Sequence, residues 1–262
     1  MYSEKMRRFT GFFGSLVLFT LMTQVADSAT AAKPVCDPDK RRAARVLTQA
    51  DVPEGANFSG ADLRCGSYGA IRFVNVNLDR AQLDGADIGG LTNVSADGAS
   101  FVNALIRTGD PSIPEKRSMS GSFRNANLSG ATFFVNGKVI LDGANLTGAV
   151  ITLNFPDPSS SYLRTNFTYA KFSALCKDSC GNFTGAVMKD LRGIRVTFSK
   201  STLVGVNFSG AQLRRADFAN ADLTRANFAG AQLQGATFYG ALVKDTNFKG
   251  AKGKVFGVGK SN

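Results

Sequence analysis

The stretch ADFANADLTRANFAG, residues 216–230, returns a small residue every five positions, with Phe or Leu always two places later. Its frame is Ala216-Asp217-Phe218, Ala221-Asp222-Leu223, Ala226-Asn227-Phe228. Five matches neither the helical period near 3.6 nor the strand period of 2. Within one unit the two apolar residues are two apart, so on a strand they point the same way. The next small residue comes three later, and the alternation breaks. A flat strand cannot keep all these side chains on one side. A chain that turns a corner after each short straight piece can. Each pentad is then one side of a coil, with its small residue and its Leu or Phe inward and its other three positions on the edge and the outside.

The run from Gly181 to Gly250 is unbroken over 14 pentads, and its central residues alternate Phe and Leu from Phe198 onward. Four sides per coil stack like on like. Phe208, Phe228 and Phe248 form one column, with Phe198, Phe218 and Phe238 opposite. Leu203, Leu223 and Val243 fill the third column, and Leu213 and Leu233 the fourth, an arrangement suited to close packing.

At this point the sequence resembles the pentapeptide-repeat proteins, whose motif is A-(D/N)-(L/F)-x-x in tandem. The matches include Ala56-Asn57-Phe58, Ala61-Asp62-Leu63, Ala126-Asn127-Leu128, Ala144-Asn145-Leu146 and nearly every pentad after Val196. The resemblance covers residues 55–250 with interruptions. It implies an all-β fold, a right-handed quadrilateral parallel β-helix, often dimeric, whose bare ends need covers.

The first 31 residues are read as a signal peptide. Lys5, Arg7 and Arg8 precede an apolar run, Phe9–Ala26, and Ala29-Thr30-Ala31 fits a cleavage site. A membrane anchor is the rival, disfavoured by the short, broken run. No stable span is expected after cleavage. The expected location is the periplasm or the exterior, or the thylakoid lumen if the source is photosynthetic. The whole chain carries +11; removing three basic and two acidic residues leaves +10. That balance suits acidic partners. An oxidising compartment permits disulfides. The four cysteines allow three pairings, of which Cys36–Cys65 and Cys176–Cys180 are favoured. A zinc site is the weaker alternative, because one C-x3-C without histidine is a poor ligand set. No metal or cofactor is expected.

Residues 32–54 are read as an N-terminal cap containing a short helix over Cys36–Asp51, started by Asp37 or Asp39. Regular pentads run from Ala56 to Gly90. Leu91–Gly98 and Asn136–Gly143 then take eight residues where five are expected. Breaks with prolines follow at 109–120 and 154–164, their starts 45 residues apart. Counting the breaks as two sides gives two coils per unit, so both loops are expected to leave the same face, either as tolerated insertions or as a docking feature. Residues 251–262 form a tail that plugs the open end or mediates a homodimer.

No histidine is present, which removes Ser-His-Asp and Cys-His catalysis. The scattered Asp residues are repeat positions, and no catalytic residue is assigned. The sharper signal is basic. Arg192, Arg195, Arg214 and Arg215 flank Gly193 and Leu213, central positions on the same side one coil apart. Arg195 and Arg215 are expected to stack as like charges, compensated by carboxylates or by an acidic ligand; a solvated face is the bland alternative. The reading that follows is an exported, non-catalytic scaffold that binds a protein or an acidic envelope component. Some members of the resembled family protect gyrase by imitating DNA. The basic charge argues against that role here, and the signal peptide argues against direct nucleic-acid binding.

Overall fold

The computed structural model describes residues 36, 47–106, 119–154, 156–176 and 178–257. Each regular pentad is one straight step and one corner. The corner residue, two places after the inward Leu or Phe, lies at positive φ: 66° at Gly205, 57° at Arg215, 57° at Asn220, 59° at Arg225. The next small residue closes the turn by donating its N–H to the previous inward residue's carbonyl, as in Ala211 to Phe208 at 3.0 Å and Ala226 to Leu223 at 2.9 Å. A left-handed residue in the third place of such a turn and a small residue after it explain why the period is five.

Four of these steps close a coil, and the coils stack in parallel. On the first side the ladder runs Asn57, Asn77, Ser95, Ser122, Ile140, Ser161, Asn182, Thr202, Asp222, Leu242. The third side runs Ser67, Asp87, Leu105, Thr132, Val150, Lys171, Arg192, Gln212, Gln232, Lys252. The fold is a four-sided parallel β-helix with its core along the axis. The expected columns are present. Phe208 stacks on Phe228 at 4.8 Å and Phe228 on Phe248 at 5.2 Å; Phe218 stacks on Phe238 at 5.0 Å. The two columns meet edge to face, as Phe218 and Phe228 do at 5.5 Å and 84°. Stacked and T-shaped pairs of this kind add about 0.5–1.5 kcal/mol each beyond area burial.

The earlier coils are built differently. Their elements are β1 (Ser67–Val74), β2 (Asp87–Ser95), β3 (Leu105–Ile106), β4 (Met119–Ser122), β5 (Thr132–Ile140), β6 (Val150–Asn154) and β7 (Lys171–Leu175). Strands β2 and β5 run straight through the corner between the third and fourth sides. The two eight-residue pieces are therefore not stretched single sides. Each is a three-residue fourth side followed by a full first-side pentad, so coils close in 18 residues, from Asn77 to Ser95 and from Ser122 to Ile140. Such tight passage needs glycine: a Cβ on Gly89 would lie 2.5 Å from the carbonyl oxygens of Gly69 and Ile71.

The paired-loop expectation is corrected in part. Residues 107–118 lie outside the described residues; the described chain stops on the third side at Ile106 and resumes on the fourth at Met119. The second break follows the fourth side instead. Nor is 154–164 a projecting loop. Asp157 donates its N–H to Gly137 of the coil below at 3.2 Å, and residues 160–164 are an ordinary first-side pentad with Ser161 in the ladder. Equal spacing in sequence concealed that β2 and β5 each omit a corner.

Of the tail expected to plug the end or mediate a homodimer, residues 251–257 extend the wall. Lys252 pairs with Gln232 and Phe256 with Thr237, so the wall continues. Its inward residues Val243, Phe248, Ala251 and Val255 are only partly buried; residues 258–262 lie outside the described residues. At the other end, Leu47 and Val52 are buried over the first coil. The helix expected over 36–51 is, among the described residues, one 3-10 turn, Gln49–Asp51, whose Asp51 carboxylate accepts from the N–H and hydroxyl of Thr48. Most of the cap and the signal segment fall outside the described residues. Disulfides join Cys36 to Cys65 and Cys176 to Cys180.

Candidate functional site

The corner between the third and fourth sides changes character along the helix. Strands β1, β2, β5, β6 and β7 cross it as extended chain. One coil later it turns, at Ile194-Arg195, and it turns again at Arg214-Arg215 and Gln234-Gly235. Arg195 and Arg215 occupy the left-handed corner position, with φ of 58° and 57°. Their main chains stack as expected: Arg195 donates its N–H to Arg214, and Arg215 to Gln234, both at 2.9 Å. Here glycine would be the unstrained residue, and arginine stands in its place on two successive coils.

Inside this corner, Gly193 occupies an inward position. A Cβ there would meet Val196 at 2.9 Å and Leu191 at 3.2 Å. Phe172, on the preceding coil of the same side, instead reaches across to stack on Phe198 at 5.4 Å. Outside it, Ile194, Arg195, Arg214, Arg215 and Gln234 line an open hollow of about 510 Å³. Ile194 is 65% exposed. The structure thus brings together three of the four arginines named from the sequence. Arg192 lies on the same side but in the ladder, between Lys171 and Gln212, and does not line the hollow.

The carboxylate compensation expected for these like charges is not seen. Among the described residues the ion pairs are Arg64–Asp62, Arg124–Asp97 and Lys200–Asp178. Asp217, two residues after Arg215, accepts from the Thr237 hydroxyl at 2.8 Å and the Ala219 N–H at 3.0 Å. Three guanidiniums thus lie around Ile194, and arginine is the side chain that holds carboxylate or phosphate through two parallel N–H donors. Ile194 and Gln234 escaped the sequence reading. Their place on the fourth residue of third-side pentads, one and two coils apart in line with Arg214, was the available signal.

Other candidates are accounted for by the frame. Asn127, Asn145, Asn166 and Asn207 sit in N-x-S/T sequons, yet each side-chain oxygen accepts the N–H two residues on, at 3.0–3.3 Å. The Asn207, Asn227 and Asn247 amides form a ladder between coils. Among the described residues no group of three or more His, Cys, Asp or Glu is placed to hold a metal ion, and no helix is long and apolar enough to cross a membrane. No cysteine among them is free.

The family model for pentapeptide repeats matches residues 194–230 and 211–250, eight copies in all. No curated protein matches the sequence. Among solved structures, the chain is similar to HetL, a pentapeptide repeat protein involved in heterocyst differentiation regulation from the cyanobacterium Nostoc sp. strain PCC 7120. The identity is 23%, covering 76% of this chain and 85% of that one, with a TM-score of 0.35. It is similar to QnrB1, a plasmid-mediated fluoroquinolone resistance protein, at 16% identity over 76% and 90%, TM-score 0.35. A pentapeptide repeat protein from the Arabidopsis thaliana thylakoid lumen is 27% identical over 44% and 60%, TM-score 0.23.

Proposed function

We propose that this chain of pentapeptide repeats is a non-catalytic scaffold, working outside the cytoplasm, that recognises an acidic partner through the third-side corner. The observation that carries the reading is the hollow at Ile194. Arg195, Arg214 and Arg215 surround it on consecutive coils, and none of them is in an ion pair among the described residues. Export is supported by the two disulfides and by the sequence pattern of residues 1–31. A rigid parallel β-helix holds the corner in a fixed geometry, and that favours binding. Lack of histidine and of a paired carboxylate site argues against hydrolytic chemistry.

The test is a cross-linking pull-down from native envelope extract. The chain is used beside a variant with Arg192, Arg195, Arg214 and Arg215 changed to Ala. Capture of a partner by the first and its loss from the second is the expected result. The same partners on both baits would refute the site. Finding the chain uncleaved in the cytoplasm would reopen the nucleic-acid readings, and a steep salt dependence of DNA binding would then single out direct binding.

A further inference from the structure

The large apolar side chains that stand exposed are not spread evenly around the helix. Leu105, Phe134, Val150 and Ile194 all lie on the third side, and Tyr169 stands at the corner leading into it. The remaining three, Tyr239, Leu242 and Phe256, belong to the last coils. The third side also gathers cations. Lys171 and Arg192 follow Val150 in its ladder, and Arg214 and Arg215 stand at its far edge beside Arg195. Carboxylates are sparse on it: among the described residues Asp87 alone is in this ladder, and Asp84 and Asp190 are on the leading corner. The first and second sides carry Asp62, Asp79, Asp97, Asp142 and Asp222.

Register fixes how these groups are laid out. Leu105, Thr132, Val150, Lys171, Arg192, Gln212 and Gln232 are consecutive ladder partners. At the strand spacing of about 4.8 Å they span roughly 29 Å of one flat sheet face. Phe134 stands beside this line, two residues on from Thr132 and paired with Thr152. The face is apolar along one half and cationic along the other, ending at the arginine-lined hollow.

We propose that the third side docks flat on an anionic lipid bilayer. Leu105, Phe134 and Val150 enter the headgroup boundary, and the long Lys and Arg side chains reach the phosphates. The hollow at Ile194 holds one lipid phosphodiester between Arg195, Arg214 and Arg215. An acidic protein would satisfy the cationic half and leave the apolar half without a role; a bilayer surface uses both, and its planarity matches the sheet. This inference rests on the acidic-partner reading above and names the partner.

Vesicle flotation of the full chain tests it, with phosphatidylcholine alone or with phosphatidylglycerol as one lipid in three. Binding is expected to rise on the order of tenfold with the anionic lipid and to fall at high salt. Lys171, Arg192, Arg214 and Arg215 changed together to Gln should remove that gain. Leu105→Ser, Phe134→Ser and Val150→Ser together should weaken binding and leave it more salt-sensitive. A control with Arg80, Arg164, Arg225 and Lys244 changed to Gln removes the same charge from the corner between the first and second sides and should bind like the parent. Circular dichroism establishes that each variant is folded. No gain with phosphatidylglycerol, or an equal loss in the control, overturns the inference. If vesicles fail while the pull-down still captures a protein through the arginines, the bilayer falls and the acidic-partner reading stands.

Discussion

The coils after Gly181 and those before it solve the same stacking problem with different chemistry. In the later coils, cohesion comes from inside. Aromatic rings stack at 4.8–5.5 Å along two facing columns and lock edge to face between them. In the earlier coils the first-side interior is mixed, with Leu78, Ala96, Phe123 and Leu141 in succession. There the coils are tied from outside by carboxylates. Asp79 accepts the Ser95 hydroxyl at 2.6 Å and the Asp97 N–H at 2.9 Å of the next coil. Asp97 does the same with Ser122 and Arg124, and Asp142 with Ser161 and Leu163. Asp84 holds Ser100 and the N–H of Val102. Where like stacks on like, each side keeps five residues. Where the interior varies, corners are dropped or lengthened and side chains on the wall bridge successive coils. The arginine-lined corner lies close to where one regime gives way to the other.

The largest expected effect belongs to the ring columns. Phe218→Ala removes a ring that touches Phe198, Phe208, Phe228 and Phe238, and should cost about 3–5 kcal/mol in urea unfolding. Leu141→Ala, equally buried but outside the columns, should cost less. An equal or larger loss at Leu141 would break the contrast between the two regions.

The carboxylate bridges predict a smaller and opposite asymmetry. Asp97→Ala leaves the Arg124 N–H and the Ser122 hydroxyl without their acceptor and should cost about 1–3 kcal/mol. Asp222→Ala, whose carboxylate accepts the N–H of Thr224 within its own turn, should cost about half a kcal/mol. Thermal midpoints of the two variants decide between wall and core as the source of early-coil cohesion.

Tyr162 marks the seam and gives an effect of opposite sign. Its ring is fully buried and stacks on Phe183 at 4.3 Å. Its hydroxyl has no hydrogen-bond partner, although Ser160 is close by. Burial pushes the phenol pKa well up from the ordinary value near 10. A group so raised gives its full stability below the unfolded value and loses it as the pH climbs toward the folded one. The thermal midpoint should therefore fall as pH rises above about 10. Tyr162→Phe should abolish that fall and gain about 1 kcal/mol at neutral pH.

How much of this was legible follows the same division. After Val196 the frame is unbroken, so the four columns, the corner arginines and the Asn ladder could all be placed by counting in fives. Before it, counting fails at Leu91 and Asn136, because the fourth side there is cut to three residues and nothing in the local residues says so except glycine. The apolar half of the third side was hidden for that reason: Leu105, Phe134 and Val150 align only once the 18-residue coils are known. The missing compensation for Arg195 and Arg215 was also unreadable, since counting in fives places the corners but not the ion pairs their side chains make.

The central claim is that the third-side corner is where this molecule meets its partner. A photo-cross-linking residue at Ile194, compared with one at Val204 on the opposite first side, tests it most directly in native envelope preparations. The account predicts a partner adduct, lipid or protein, from position 194 and none from position 204. Adducts from 204 alone, or equally from both positions, would contradict it.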